Sequence, residues 1–402
     1  MGLYAVGGGV VLCLFIVLCW FAFHKQRSPL DQESVKTEAA KPHARHAAPA
    51  FEPADDLSSE EPTNQPNDSA STNAAVIYRQ AFAHFDELSK EQKTIASDWR
   101  TNVDASVEAE LCEKIRPICD LMHQASAVTN CDWGDKRLTF EDNFGRHLSP
   151  SRAVARAAIW NAAHCRSNDV AGATDDTLAA LRLGQQVSQG AMIGCLVGMA
   201  MQQMSSSYIS QNIGSFRGGD AQRLLAALDD SVNEEAPSRA MEAEADMVER
   251  LATKLAAMSE AELKKNWPGD GTIPAEMDRA AVLAEYRQIR DSERELARAL
   301  ASSSEGDYEA WQARSVEVRA SNPLAKGVLE SIDPFVNKVR QAAVNRAMVV
   351  AGLAVAETGP EVLATHPDPA SGKPFVYTET DDGFELQSAY KFNGAPMKMQ
   401  FK

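Results

Sequence analysis

The chain has no surplus of basic charge. In its 402 residues, 40 lysines and arginines stand against 56 acidic residues, for a formal net charge of −16. Nucleic-acid binding normally needs a clustered basic face, so nucleic acid is excluded as a partner class. The common catalytic and ligand signatures are missing too. No H-E-x-x-H, no EF-hand loop and no G-x-x-x-x-G-K-[ST] occurs, and Gly372-Lys373 runs straight into Pro374. No G-x-S-x-G nucleophile elbow is present. Seven cysteines include no C-x-x-C, which leaves zinc-ribbon and thioredoxin-type chemistry without a basis. No metal site and no cofactor is expected. What is present is 44% hydrophobic residues, enough for a sizeable core and too many for a wholly disordered chain.

The apolar residues form one long uncharged run, Leu3 to Phe23. At about 1.5 Å per residue it spans about 31 Å, the thickness of a bilayer's hydrocarbon core. Trp20 sits where an interfacial aromatic would, and His24, Lys25 and Arg27 follow. A cleaved signal peptide would want a basic leader and a small-residue cleavage site, and neither is present. Bulky Leu18 before Cys19 argues against a lipoprotein signal. The run therefore predicts a single transmembrane anchor over 1–24. Lys25 and Arg27 favour a cytoplasmic body by the positive-inside rule, which is weak for long domains.

Residues 25–73 read as a tether rich in proline and alanine. From Ser28 to Ala74, nine acidic residues oppose three basic ones, so the segment should stay extended and solvated. His43 and His46 lack a third ligand there and are read as solvated. From 74 to 360 the apolar spacing is helical. Val76, Tyr78, Ala81, Phe82 and Phe85 predict one helix, and Leu111, Ile115, Ile118 and Met122 a second that Pro117 should kink or break. Ser149-Pro150 predicts a capped helix start. Met192 to Met204 is apolar on most sides, as expected of a helix at the centre of a bundle. Ala275 to Ser302, returning through Tyr308 to Arg319, predicts a protruding helical hairpin, and Asp333-Pro334 the start of a last long helix. Over 361–402 the period changes. Asp381-Asp382-Gly383 and Asn393-Gly394 separate three strand-like runs, predicting a small antiparallel β meander packed on the helices.

The five cysteines after the tether are Cys112, Cys119, Cys131, Cys165 and Cys195. Cys112 and Cys119 share a helix face about 10 Å apart, too far for a bridge. The five are either buried small hydrophobes or include one disulfide across helices, with Cys131 a candidate. The densest polar cluster runs from Cys131-Asp132-Trp133-Gly134 through Glu141-Asp142 to Arg146-His147 and the helix carrying Trp160 and His164. Asp132, Glu141 and His164 are the candidate acid–base residues of a hydrolase. The competing reading is a structured loop in which Asp132 caps a turn, Trp133 plugs between helices and Arg152 or Arg156 neutralises acids, with Trp133, Asp142, Arg152 and Trp160 as a structural cluster.

Three segments carry a resemblance: Asp132-Trp133-Gly134 with Phe140-Glu141-Asp142; the helix pair from Leu178 to Gly184 and Leu196 to Ala200; and the tail Asp368-Pro369 to Tyr377 with Gly383 to Ser388. Together they resemble an uncharacterised family of helical, membrane-anchored proteins common in planctomycete-type bacteria. That resemblance implies no activity and no catalytic residues, and tilts the body to the extracytoplasmic side. The tail pattern is also similar to that of type II secretion pseudopilins, but the prepilin cleavage motif is absent. The expectation is a mainly α protein: an N-terminal transmembrane helix, a multi-helix body of bundle or tetratricopeptide-like form, and a β tail. Its expected role is a protein-interaction or scaffold module of the cell envelope, with an envelope hydrolase or a pseudopilin-like secretion component as alternatives.

Overall fold

The structure is a computed structural model that describes residues 73–134, 145–166, 168–229, 232–259, 262, 279–302 and 305–402. The anchor expected at Leu3–Phe23, the tether, Glu141, Asp142 and the expected break at Trp267-Pro268 all lie outside the described residues. Among the described residues, no helix is long and apolar enough to cross a membrane.

The body is helical. In chain order its helices are α1 (Ala74–Asp86), α2 (Lys90–Ile95), α3 (Ala105–Ser126), α4 (Leu148–His164), α5 (Val170–Val187), α6 (Met192–Gln211), α7 (Gly219–Leu228), α8 (Val232–Ala257), α9 (Arg279–Ser302), α10 (Glu305–Ser321) and α11 (Pro323–Thr358). Several begin where local chemistry dictates. Asn73 accepts the Ala75 N–H at the start of α1, Ser89 and Gln92 form a reciprocal capping box on α2, and Asp169 accepts from Gly172 on α5.

Two helix boundaries differ from the sequence expectation. α3 runs unbroken through Pro117. Ile115, Ile118, Cys119 and Met122 anchor it to the core on both sides of the proline, while Pro117 itself is exposed. The carbonyl that loses its partner therefore faces water. α11 starts at Pro323, with Asn322 accepting the Ala325 N–H, and passes through Pro334. A third, smaller difference is α4. Its first residue is Leu148, preceded by His147 without a side-chain cap bond. Ser149 is thus inside the first turn, where Pro150 also fits because that turn's N–H groups need no helical partner.

The buried side chains form two clusters. The larger joins α1, α3, α4, α5 and α7 with the C-terminal half of α11. The smaller joins α8, α9, α10 and the N-terminal part of α11, around Trp311. α6 serves both: Val197, Met201, Tyr208 and Ile209 face the first, while Met192, Cys195, Leu196 and Met199 face the second. That double burial is why its sequence is apolar all round. α5 and α6 approach closely at Gly198, where a Cβ would collide with the Gly184 carbonyl and the Ser188 hydroxyl. The expected pair α9 and α10 is present, but α9 is no free arm. It lies along α8, and Ile289, Leu296 and Ala297 are buried in the second core.

The tail is a three-stranded antiparallel sheet of order β1 (Val376–Thr380), β2 (Gly383–Phe392), β3 (Ala395–Phe401). Asn393 and Gly394 both have positive φ, 51° and 82°, as the tight two-residue hairpin requires. Phe384 pairs with Phe401, and Phe401 seats against Gly352 of α11, where no side chain would fit. Lys402 ties the strand end to α6 by donating to the Ser210 carbonyl at 3.0 Å. Asp368 organises the approach to the sheet. Its buried carboxylate accepts from the Ser388 hydroxyl (2.8 Å) and from the Ala389 (2.7 Å) and Ala370 (3.0 Å) N–H groups. The Asp-Pro and Ser positions of the tail pattern are thus one hydrogen-bonded clasp.

Candidate functional site

The Asp132-Trp133-Gly134 loop is held by α1. Asn73 donates to the Asp132 carbonyl and accepts its N–H, each at 3.0 Å, and Asp132 Oδ1 accepts the Gly134 N–H at 2.9 Å. Asp132 is exposed, and its carboxylate shapes a turn. Trp133 stacks on His147 with ring centroids 4.3 Å apart, and also on Tyr78 and Phe82. Arg79 donates to the Trp133 carbonyl. Trp133 thus lies between Tyr78 and Phe82 of α1 and the His147 ring that precedes α4. His147 is buried there, and burial, helped by Arg79, pushes its imidazole down to about 4. Burial pushes the Cys131 thiol up to about 12, the opposite of what a nucleophilic thiolate needs.

His164 lies in a different setting. It stacks on the fully buried Trp160 at 4.5 Å, its Nε2 lies 3.0 Å from the Trp99 carbonyl, and its Nδ1 is 3.7 Å from Glu108. Among the described residues, no hydrogen bond or ion pair joins Asp132 to His164. Trp160 is fully buried. Arg152 is half-buried on α4, where its charge lowers the neighbouring Arg156, itself held down first by burial.

The strongest polar centre is one the sequence pattern did not flag. Asp176 on α5 is fully buried. Its Oδ1 lies 2.8 Å from His123 Nε2 of α3, and its Oδ2 accepts from Asn161 of α4 at 2.6 Å. Arg166 Nε stands 4.0 Å away, and burial, then the Asp176 charge, pushes the Cys119 thiol well up. One carboxylate thus ties three helices. The available signal was its position. Asp176 falls three residues after Ala173 and four before Ala180, both buried, so an acid sits on the core stripe of α5. The hydrogen bond from Asp176 outweighs burial and raises His123 above the ordinary imidazole range.

A histidine oriented by a buried aspartate is one half of an acid–base device. The other half is a nucleophile and a concave space for substrate. Among the described residues an open groove of about 360 Å³ is bordered by Glu91, Ile95, Asn102 and Val107, and a concavity of about 190 Å³ lies at the sheet tip by Asp381 and Lys402. Neither touches Asp132, His164 or Asp176. Among the described residues no group of three or more His, Cys, Asp or Glu side chains could hold a metal ion.

One covalent link binds this region. Cys112 of α3 and Cys165, just past α4, form a disulfide with Cα atoms 5.7 Å apart. Cys131, the candidate suggested by sequence, is free, as are Cys119 and Cys195. Cys131 lies beside Asp132 in the loop held by α1, away from the α3–α4 contact that the bridge closes. No protein-family model, no curated protein and no solved structure matches the chain.

The two histidines titrate in opposite senses. His147, lowered in the folded state, contributes stability that is lost as pH falls from about 6.5 toward about 4. His123, raised, contributes stability that is present at low pH and lost as pH rises through its folded value. In an NMR titration of the imidazole resonances, His147 is expected to stay neutral at pH 6 while His123 is largely protonated. Equal midpoints near 6.5 would contradict both environments.

Proposed function

We propose that the protein is a membrane-tethered helical module that faces an oxidising compartment of the cell envelope and makes protein contacts there. The observation that carries this reading is the Cys112–Cys165 bridge. Such bridges persist in secreted and periplasmic surroundings and are rare where glutathione keeps thiols reduced. Two further features support it. The uncharged run Leu3 to Phe23 is long enough for an anchor, followed by an acidic, proline-rich spacer. The buried carboxylates of Asp176 and Asp368 use their hydrogen bonds to join helices and strands. Asp132 and His164 have separate structural partners, so the reading places no reaction on them.

The test is a single cysteine in the tether, Ser69→Cys, probed with a membrane-impermeant maleimide. Labelling on intact cells is expected. Labelling only after lysis would overturn the orientation. Cross-linking in the same membranes is expected to give a discrete, saturable adduct of the chain. An uncross-linked chain at every reagent dose would overturn the contact role.

A further inference from the structure

Glu293 lies on the buried face of α9, 3% exposed, and its Oε2 has no hydrogen-bond partner. The charge that acts on it is Glu244 of α8. Glu244 is already engaged, because its Oε1 accepts the N–H of Met192, the first residue of α6, at 2.9 Å. Ala191, at the N-cap of α6, has no side chain that could do this. Glu244 therefore caps α6 from another helix, where the helix dipole favours a carboxylate. Around the pair is the second core, with Met241, Ile289, Leu296 and Trp311. Two carboxylates in apolar surroundings cannot both be ionised without mutual repulsion and uncompensated desolvation.

We propose that Glu293 holds a proton in the closed body, and that losing it at alkaline pH loosens α9 from α8 and, through Glu244, α8 from α6, making the pair a pH-sensitive latch. Burial, then the Glu244 charge, pushes Glu293 well above the usual carboxylate range. Burial pushes Glu244 up to about 7, against the Met192 N–H.

The other charged groups nearby are engaged elsewhere. On α9, Arg290 and Arg294 pair with Glu249 and Asp246 of α8. Arg239 of α8 bonds Glu235 and acts on the Cys195 thiol of α6, which burial pushes up to about 12. From α10, Trp311 donates its indole N–H to the Ser292 carbonyl, and Arg314 bonds Glu295. α11 presents Leu329 and Phe335, and its Asp333 is held by Arg319.

Both carboxyls are raised by folding. Their contribution is fully present below the unfolded value, near 4.3, and is lost as pH rises, for Glu244 through about 7 and for Glu293 through its own raised value. The test is thermal unfolding of the full chain in detergent micelles at pH 5.5 and 8.5, with hydrogen exchange of α8 and α9 peptides. The wild type is expected to lose about 5 °C over this interval, with faster exchange in α8 and α9 after correction for intrinsic rates. Glu293→Gln mimics the protonated form and is expected to shrink that loss, leaving the part that Glu244 carries. Glu244→Gln keeps an acceptor for the Met192 N–H, removes the repelling charge and is expected to shrink the loss as well. If Glu293→Gln does not accumulate, Glu244→Gln decides alone. Wild-type pH dependence in the variants, or equal destabilisation at both pH values, overturns the proposal.

Discussion

Asp176→Ala is expected to destabilise the body by about 3–5 kcal/mol, the range for removing one member of a buried charged network. The reason is what it leaves behind. His123 and Asn161 would both lose the acceptor they share, and Arg166 would lose its nearest buried counter-charge. Each stranded buried group costs about 1–3 kcal/mol, more than the modest gain any one hydrogen bond adds to a folded chain. Asp176→Asn separates shape from charge. It keeps the volume and one carbonyl oxygen, so the expected loss is roughly half as large, with the His123 titration moved down toward the ordinary range. Urea midpoints and the His123 resonance check both. An Asp176→Ala variant within about 0.5 kcal/mol of wild type would mean that the three helices are held without it.

Cys112→Ser with Cys165→Ser is expected to cost about 4 kcal/mol, from the entropy restored to an unfolded chain whose bridge spans 53 residues. The bridge and Asp176 lie on the same α3, α4 and α5 contacts, one on the outside and one within. Cys112 and Cys119 are two turns apart on α3, and Cys165 precedes Arg166. The two losses are therefore expected not to add, because contacting networks couple. Reduction of the wild type should lower the urea midpoint as much as the double substitution does, and should leave the double variant unchanged. A wild type that ignores reductant would rule out a contribution from the bridge.

The helices and the meander were legible because each rests on a local period. Tyr78, Phe82, Leu111, Ile115 and Met122 all face the core on the stripe their spacing predicts. Asp381-Asp382 and Asn393-Gly394 turn the strands where their backbone preferences require. Prolines misled for a physical reason. Pro117 and Pro334 would break an isolated helix, but tertiary burial on both sides outweighs a cost of about 3 kcal/mol. The polar centre was hidden for the converse reason. Asp176, His123 and Asn161 are far apart along the chain, and only the packing of three helices turns them into one network. The same holds for the cysteines, where spacing excluded a Cys112–Cys119 bridge but could not select Cys165. On α9, Glu293 falls between the buried Ile289 and Leu296 and is itself a buried acid.

The charge of the loop residues explains why Asp132 and His164 looked like partners. Both lie in a stretch dense in acids, histidines and tryptophans, yet Trp133 and Trp160 sort the two histidines into separate stacks. Sequence density marked the interface between α1, α3 and α4, where the described residues stack, form a turn and tie helices.

The most direct test of a body folded in an oxidising compartment is the state of its thiols in living cells. Intact cells would be quenched with acid, their free thiols alkylated under denaturing conditions, and the chain digested without reductant. The expected result is one linked peptide pair carrying Cys112 and Cys165, with Cys119, Cys131 and Cys195 alkylated. Recovery of Cys112 and Cys165 as separate alkylated peptides would contradict both the bridge and the compartment proposed from it.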